Sequence, residues 1–329
     1  MQKILVPKNV YHIKGQKNGP VFFVLAGVHG DEIFGIEVVK EILKDFKLSD
    51  KMSGRTYRNK LINGELYIGF GNPEAIARKV RATSPSADLN RAFQLSKLKQ
   101  KKSNNDPPHI IRAKELLPIL SSTDFLIDLH STHTKSEPFI CLGDTTKYHS
   151  SIYEDINVQY VLTDPDWILP KDIGLTELGT TDYVVNTKGG SEWNRKKYSL
   201  NTGIGFAYES GHKKNFERLK IIQEEIYQIM YKTRLLIEKP AMLHTKKKKY
   251  KRKYTYKLTA IIKKNFDNEF RFQPGLEVGW VDIKKGDCIG EYSKINKRII
   301  APCTGKLLFQ KEPKDMQIDS SLCYIATKI

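Results

Sequence analysis

The chain has 329 residues, 40% of them hydrophobic and 28% charged, which excludes a disordered chain, a collagen-like fibre and a disulfide-stapled scaffold. No apolar run is long enough to span a bilayer, and residues 1–15 lack the apolar core of a secretory signal. The four cysteines show no metal-type spacing, so we expect a cytoplasmic protein with free thiols. The formal net charge is +18, and residues 239–329 contain 21 basic but only 9 acidic residues, which suits either a solvated lysine-rich surface or an anionic partner.

Strand and helix signals alternate along the first two thirds of the chain. The continuous apolar run Val21–Gly27 predicts a strand buried on both faces, and Asp31–Phe46 has apolar residues at helical spacing. Further strands are predicted at Leu66–Phe70, Phe125–Leu129 and Ile204–Tyr208, helices at Pro108–Leu120 and Phe216–Ile237, and polar loops at Ser96–Pro108 and Lys188–Thr202. The alternation predicts an α/β domain over residues 1–238, with a mostly parallel or mixed central sheet flanked by helices.

The pattern changes after residue 238. Residues 239–254 are predicted as a basic linker, and seven of the eight residues of Lys246–Lys253 are Lys or Arg. Residues 255–329 show short apolar runs separated by glycines, which predicts a small all-β domain. The predicted strands are Leu258–Ile262, Cys288–Ile289, Ile299–Ala301, Lys306–Phe309 and Leu322–Ile325.

Two histidines and a glutamate stand where predicted strands end. His29 and Glu32 lie three apart in a glycine-flanked turn, so that an imidazole and a carboxylate can reach one ion. His130 follows the strand Phe125–Leu129 and completes a set of three protein ligands, as in an open catalytic zinc site. Asp128 either orients a ligand histidine or only caps the strand. The alternatives are an ordinary histidine at a strand end and acidic residues that favour a helix N-terminus.

Four further residues carry groups suited to amide hydrolysis. Asn90 and Arg91 supply directional donors for a carboxylate, and Arg81 is suited to polarising a carbonyl and stabilising its oxyanion. Glu209, after the strand Ile204–Tyr208, is placed to act as a general base on metal-bound water. Taken singly, these residues are equally explained by a surface ion pair between Asp88 and Arg91 and by pairing of Glu209 with a neighbouring lysine.

Taken together, the clusters resemble one family. The motifs GVHGDE (27–32), GNPEA (71–75), DLNRAF (88–93), DLHST (128–132) and YESG (208–211) are similar in sequence and order to those of the succinylglutamate desuccinylase/aspartoacylase family. The resemblance covers most of residues 20–238 and implies a zinc carboxypeptidase-like fold. Residues 283–292 and 299–309 resemble the repeated motifs of barrel-sandwich hybrid domains. The implied activity is zinc-dependent hydrolysis of the amide bond of an N-acyl amino acid, with one zinc per chain.

The resemblance also implies roles for individual residues. By motif, the zinc ligands are His29, Glu32 and His130, and the carboxylate that activates the zinc-bound water is Glu209. The substrate carboxylate is held by Asn90 and Arg91. The carbonyl-polarising arginine is Arg81, at a longer spacing from the DLNR motif than in the family. A basic residue that selects the acyl-side carboxylate has no clean match, and only Arg195, Lys196 and Lys197 are candidates.

Other functions remain open from the sequence. A zinc metallocarboxypeptidase or amidase acting on peptides would use the same chemistry with a different pocket. A nucleic-acid-binding protein would use Lys246–Lys253 and the basic C-terminal part, although no recognition motif accompanies them. A membrane partner is not expected, a homo-oligomer is compatible with the sequence, and another divalent ion would also suit a His, Glu, His site.

Overall fold

The computed structural model describes residues 4–48, 56–59, 61–84, 86–94, 98, 103, 105–142, 150–154, 156–164, 180–214, 216–241, 243, 250 and 252–329. The strands are β1 (Val10–Gly15), β2 (Val21–Ala26), β3 (Thr56–Asn59), β4 (Glu65–Phe70), β5 (Phe125–Thr132), β6 (Phe139–Leu142), β7 (Tyr160–Thr163), β8 (Ile204–His212), β9 (Tyr254–Lys263), β10 (Phe270–Phe272), β11 (Val281–Ile283), β12 (Cys288–Tyr292), β13 (Lys297–Ile300), β14 (Gly305–Leu308) and β15 (Ser321–Lys328). The helices are α1 (Ile33–Asp45), α2 (Pro73–Arg78), α3 (Pro108–Leu120), α4 (Ser150–Tyr153), α5 (Thr181–Lys188), α6 (Glu192–Tyr198) and α7 (Leu219–Lys232).

A mixed sheet of twelve strands organises the molecule, in the order β11-β14-β15-β9-β7-β6-β8-β5-β2-β4-β1-β3. At its centre β4, β2, β5 and β8 are parallel neighbours, and their apolar side chains are buried against helices on both faces. Because both faces are covered, these strands read as continuous apolar runs rather than alternating ones. The predicted α/β class with a mixed, helix-flanked sheet is confirmed.

Two element predictions differ from the structure. The polar stretch Lys188–Thr202 contains helix α6, which Ser191 caps by accepting hydrogen bonds from two backbone N–H groups. Trp193 and Tyr198 of this helix pack edge-on against Phe125, so two aromatic side chains anchor a segment that is otherwise polar and mostly exposed. The predicted helix Phe216–Ile237 is shorter, because a 3-10 turn precedes α7 and the α-helix ends at Lys232. The predicted loop Ser96–Pro108 lies mostly outside the described residues.

The C-terminal strands continue the central sheet. β9 pairs in parallel with β7, and β15, β14 and β11 follow it outward, while β10, β12 and β13 form a separate three-stranded sheet. The apolar cluster at this junction contains side chains from both parts of the chain, among them Phe139, Leu162, Tyr256 and Trp280. The basic stretch Lys246–Lys253 lies outside the described residues except for Tyr250, Arg252 and Lys253.

Two further features are the state of the cysteines and the hydropathy of the helices. All four cysteines are free thiols. Within the described ranges, no helix combines the length and hydropathy needed to cross a membrane.

Trp280 is expected to hold the C-terminal strands against the rest of the sheet. Its ring is 4% exposed and stacks on Tyr160 with centroids 4.2 Å apart, with edge contacts to Phe139 at 5.0 Å and Tyr256 at 5.4 Å. We therefore expect Trp280→Ala to lower the free energy of unfolding by about 3–5 kcal/mol, measured by urea denaturation, and Trp280→Phe to lower it less. Exposed Ile295→Ala is the control and should change it by less than about 0.5 kcal/mol; equal effects of the two alanine variants would contradict the prediction.

Candidate metal centre and active site

The turn between β2 and α1 places His29 and Glu32 in the interior. The chain leaves β2 through Gly27, which has a φ of +66°, a conformation that favours glycine. Gly30 passes so close to α2 that an added Cβ would lie 2.1 Å from the carbonyl carbon of Ala75. Only glycine fits this approach without displacing the backbone. The result is a tight turn in which His29 is 3% and Glu32 is 4% exposed.

Glu32 lies between the two histidines. Its Oε1 is 2.6 Å from Nδ1 of His29, and its Oε2 is 3.1 Å from Nδ1 of His130 and accepts a 2.9 Å hydrogen bond from the backbone N–H of Ser131. One ligand atom from each of the three residues lies within 4.8 Å of the others. Parallel pairing of β2 with β5, which sets Ala26 opposite Leu129, brings His29 and His130 to the same edge of the sheet.

Each histidine also has a carboxylate near its far nitrogen. Nε2 of His130 lies 3.2 Å from Oδ2 of Asp128, and Nε2 of His29 lies 3.3 Å from Oδ1 of Asp88. Thr181, at the start of α5, donates a hydrogen bond to the same Asp128 oxygen. A carboxylate behind a ligand histidine orients the ring and raises its basicity, and both rings here direct Nδ1 toward Glu32.

Charge and chemistry suit this cluster to a divalent cation. Burial would raise the pKa of Glu32, but the adjoining imidazoles of His29 and His130 hold it well below its usual range. Two imidazole nitrogens and one carboxylate oxygen are the three protein ligands of many catalytic zinc sites, which keep a further position for water or substrate. The donor set therefore fits an ion of the zinc class.

Glu209 lies beside His130 on the neighbouring strand. The two residues are paired in the parallel register of β5 and β8, which puts their side chains on the same face. Glu209 is buried, and its Oε2 has no hydrogen-bond partner among the described residues. Burial raises its pKa to about 7, despite the opposing charge of His130. A buried carboxylate with a free oxygen beside the metal-type cluster is equipped to exchange a proton near neutral pH.

Arg81, Asn90 and Arg91 gather at the same edge. Asp88 caps the 3-10 turn Leu89–Arg91 by accepting a 2.9 Å hydrogen bond from the Asn90 N–H, and it lies 3.3 Å from Nη2 of Arg81. Nη1 of Arg81 is 3.8 Å from Glu32, and the side chain is 44% exposed, so its guanidinium remains accessible. Arg91 donates to the Asn90 carbonyl at 2.8 Å, and the side-chain oxygen of Asn90 is buried with no partner in the described structure.

The basic candidates Arg195, Lys196 and Lys197 lie elsewhere. Helix α6 is held at the amino end of β5 by a 2.7 Å hydrogen bond from Ser191 to Asp124 and by aromatic contacts with Phe125. Phe125 precedes His130 by five residues, or about 16 Å along a strand. The structure therefore does not bring these three candidates to the edge of the sheet at which His130 lies.

Lys311, which the sequence did not single out, extends the site from the C-terminal part of the chain. It follows β14 and is half-buried; burial lowers its pKa, and the nearby positive charges of Arg81 and Arg91 lower it further. Thr134, just past β5, donates a 3.2 Å hydrogen bond to the carbonyl of Gln310 and holds this segment in place. No local pattern marks Lys311, because its neighbours in the site precede it by more than 200 residues.

Comparison with known proteins finds one family model that matches part of the chain. Residues 18–163 match the model of the succinylglutamate desuccinylase/aspartoacylase catalytic domain, which confirms the resemblance predicted from the sequence. No curated protein matches the sequence.

Solved structures share the fold at low sequence identity. A succinylglutamate desuccinylase/aspartoacylase from Rhodobacter sphaeroides matches with a TM-score of 0.65 and 14% identity, over 97% of this chain and 88% of that one. Murine aminoacylase 3 matches with a TM-score of 0.66 and 15% identity, over 95% and 97%. The ectoine utilization protein EutE (DoeB) from Ruegeria pomeroyi matches with a TM-score of 0.66 and 15% identity, over 96% and 87%.

The electrostatics of the cluster can be tested in metal-free protein. Burial opposes protonation of His130, but Asp128 and Glu32 raise its pKa well above the usual value, whereas burial lowers the pKa of His133. We expect nuclear magnetic resonance titration to find the His130 imidazole protonated well above pH 6.5 and His133 neutral there. Asp128→Asn should lower the His130 pKa and leave that of His133 in place; an unchanged His130 pKa would contradict the arrangement.

Proposed function

We propose that this chain, whose residues 18–163 belong to the succinylglutamate desuccinylase/aspartoacylase catalytic-domain family, is a zinc-dependent hydrolase that cleaves the amide bond of an N-acyl amino acid. The proposal depends above all on one juxtaposition. Glu209 lies next to the buried set His29, Glu32 and His130. The carboxyl group of Glu209 has a pKa of about 7, and its Oε2 is free. A metal-type ligand set beside an uncommitted general base is the equipment of a metal-assisted hydrolase.

His29, Glu32 and His130 would hold the ion through their buried donor atoms. When bound, zinc supplies Lewis acidity, which makes water a stronger acid and polarises a carbonyl oxygen. Asp88 and Asp128 keep the two histidine rings oriented. Ion binding and the orientation of the histidine rings account for the burial of these carboxylates, whose desolvation would otherwise be costly.

Glu209 carries the proton transfers. In its ionised form it accepts a proton from the attacking water, and in its protonated form it donates that proton to the leaving amine. A pKa near 7 suits both directions, because neither form is then strongly disfavoured. Arg81, which is partly exposed and fixed by Asp88, is placed to stabilise the negative charge that develops on the amide oxygen.

Asn90 and Arg91 are proposed to bind the substrate's carboxylate. Arg91 presents a planar donor group, and the amide N–H₂ of Asn90 is a second donor for a carboxylate oxygen. A small N-acyl amino acid is favoured over a peptide because the C-terminal segment reaches the site through Lys311 and the Thr134–Gln310 hydrogen bond. The names of the structural relatives, which include aminoacylase 3 and succinylglutamate desuccinylase, support the same reaction class.

The domain limits and the setting of the protein are also proposals. We assign catalysis to residues 1–238, a linker to 239–254 and a small β domain to 255–329, with the junction formed by the pairing of β7 and β9. Four free thiols fit a reducing, cytoplasmic setting.

Glu209→Gln separates metal binding from proton transfer. The amide keeps the size of the side chain but cannot accept a proton, so kcat should fall by about 10²- to 10⁴-fold for an N-acyl amino acid that the parent hydrolyses. Elemental analysis should find the same zinc content in both proteins, including the zinc at the His29 site.

His29→Ala and His130→Ala are the matched variants, each of which removes one metal ligand. Each should remove this zinc together with the activity, since a three-ligand site does not survive with two. Full activity of Glu209→Gln would remove Glu209 from the mechanism, and unchanged zinc content in both histidine variants would remove the metal centre.

Arg91→Ala tests recognition of the carboxylate. The parent should prefer an N-acetyl amino acid over the same compound with its carboxylate converted to an amide, and the variant should lose about 10- to 100-fold in kcat/KM on the acid alone. Arg78→Ala, on the exposed face of α2, is the control. An equal loss on acid and amide would contradict the role of Arg91, and better turnover of dipeptides than of N-acyl amino acids would favour the peptidase alternative.

A further inference from the structure

We propose that His133, Glu312 and Asp315 form a second site for a divalent cation of the zinc class. This site is distinct from the cluster of His29, Glu32 and His130, and it does not depend on the proposed reaction. Its three residues come from two distant parts of the chain, the segment after β5 and the segment between β14 and β15. A bound ion would therefore fasten these two segments together.

The ligand atoms already lie close to one another. One from each of the three residues lies within 4.8 Å of the other two, and Nδ1 of His133 is 3.5 Å from Oδ2 of Asp315. That Asp315 oxygen is buried and has no hydrogen-bond partner among the residues described. A buried carboxylate oxygen without a partner is costly, and coordination of a cation removes the cost.

The orientation of His133 repeats that of the two histidines at the first site. Its Nε2 lies 3.1 Å from Oδ2 of Asp31, which leaves Nδ1 on the side of Asp315 and Glu312. His130 is placed in the same way between Asp128 and Glu32. A carboxylate on the far nitrogen of a histidine is the usual support for a metal ligand.

The surrounding lysines leave room for a cation. Nζ of Lys213 is 3.1 Å from Asp31 and pairs directly with that carboxylate, while its charge also acts on Glu312. Nζ of Lys314 is 2.8 Å from Glu312, but this lysine side chain is 68% exposed and can turn into solvent. The ammonium of Lys311 lies near Asp315, and its backbone N–H donates a 2.9 Å hydrogen bond to the carbonyl of Leu322. Glu312 is thus paired with the exposed ammonium of Lys314, which a cation can displace.

The donors define the class of ion. One imidazole nitrogen and two carboxylate oxygens suit Zn²⁺ or Mn²⁺, whereas Ca²⁺ takes oxygen ligands and would gain nothing from His133. The remaining positions would be filled by water, because the cluster is half-buried rather than enclosed. Lys311 lies one residue before Glu312, so a bound ion would also limit the motion of the segment that carries Lys311 into the first site.

Counting bound zinc tests the proposal. Metal-free full-length protein is titrated with Zn²⁺ against a chromophoric chelator, and the parent is expected to bind two equivalents. Glu312→Gln/Asp315→Asn, which preserves side-chain size, should bind one, and so should His29→Ala/His130→Ala, because the remaining equivalent occupies the other site. Combining the four substitutions should abolish binding. Lys314→Gln should tighten the second equivalent by about 2- to 5-fold, since it removes a competing ammonium.

Matched measurements keep the result interpretable. Glu74→Gln removes an exposed carboxylate from α2 and should leave two equivalents. Circular dichroism confirms that each variant is folded, and His133→Gln repeats the loss of one equivalent with a different ligand. A parent that binds one equivalent, or a Glu312→Gln/Asp315→Asn variant that still binds two, would overturn the proposal. Ca²⁺ binding that competes with the second zinc and is unaffected by His133→Gln would overturn the assignment to an imidazole-containing site.

Discussion

A single buried carboxylate organises the candidate site. Glu32 directs one oxygen to His29 and the other to His130 and the Ser131 amide, so two distant segments of the chain meet at one side chain. An ionised carboxylate at 4% exposure is tolerable only because two imidazoles and an N–H group surround it. The same contacts that stabilise the charge also hold the donor atoms within reach of one cation. Structure and chemistry thus depend on the same set of interactions.

The parallel sheet supplies the remaining groups. Because β2, β5 and β8 run in parallel as neighbours, the residues that follow or end each strand are brought to a common edge. His29, His130 and Glu209 are the side chains that this rule brings together. Glu209 differs from the other two, because its free oxygen has no partner within the described residues and its burial keeps the proton exchangeable near neutral pH. The sheet therefore brings the fully hydrogen-bonded carboxylate of Glu32 close to that of Glu209, which has a free oxygen.

The C-terminal part of the chain reaches the edge of the site. Pairing of β9 with β7 attaches it to the central sheet, and the packing of Trp280 on Tyr160 seals the junction. From there the segment between β14 and β15 carries Lys311 toward Arg81 and Asp315 toward His133. The apolar junction around Trp280 supplies stability. The charged residues Lys311 and Asp315 supply groups that a ligand or an ion can contact.

The sequence by itself determined the parts of this protein that depend on local spacing. The central strands and α1 follow from apolar periodicity, and His29, Glu32, His130, Asn90, Arg91 and Glu209 stand out because each adjoins a predicted strand end or lies in a recognisable motif. Tertiary structure alone decided the rest. Helix α6 is fixed at the far end of β5 by aromatic packing that its polar sequence does not reveal, which removes Arg195, Lys196 and Lys197 from the site. Lys311 approaches Arg81, and Asp315 approaches His133, only because strand pairing brings together residues more than 170 positions apart, and no local pattern carries that information.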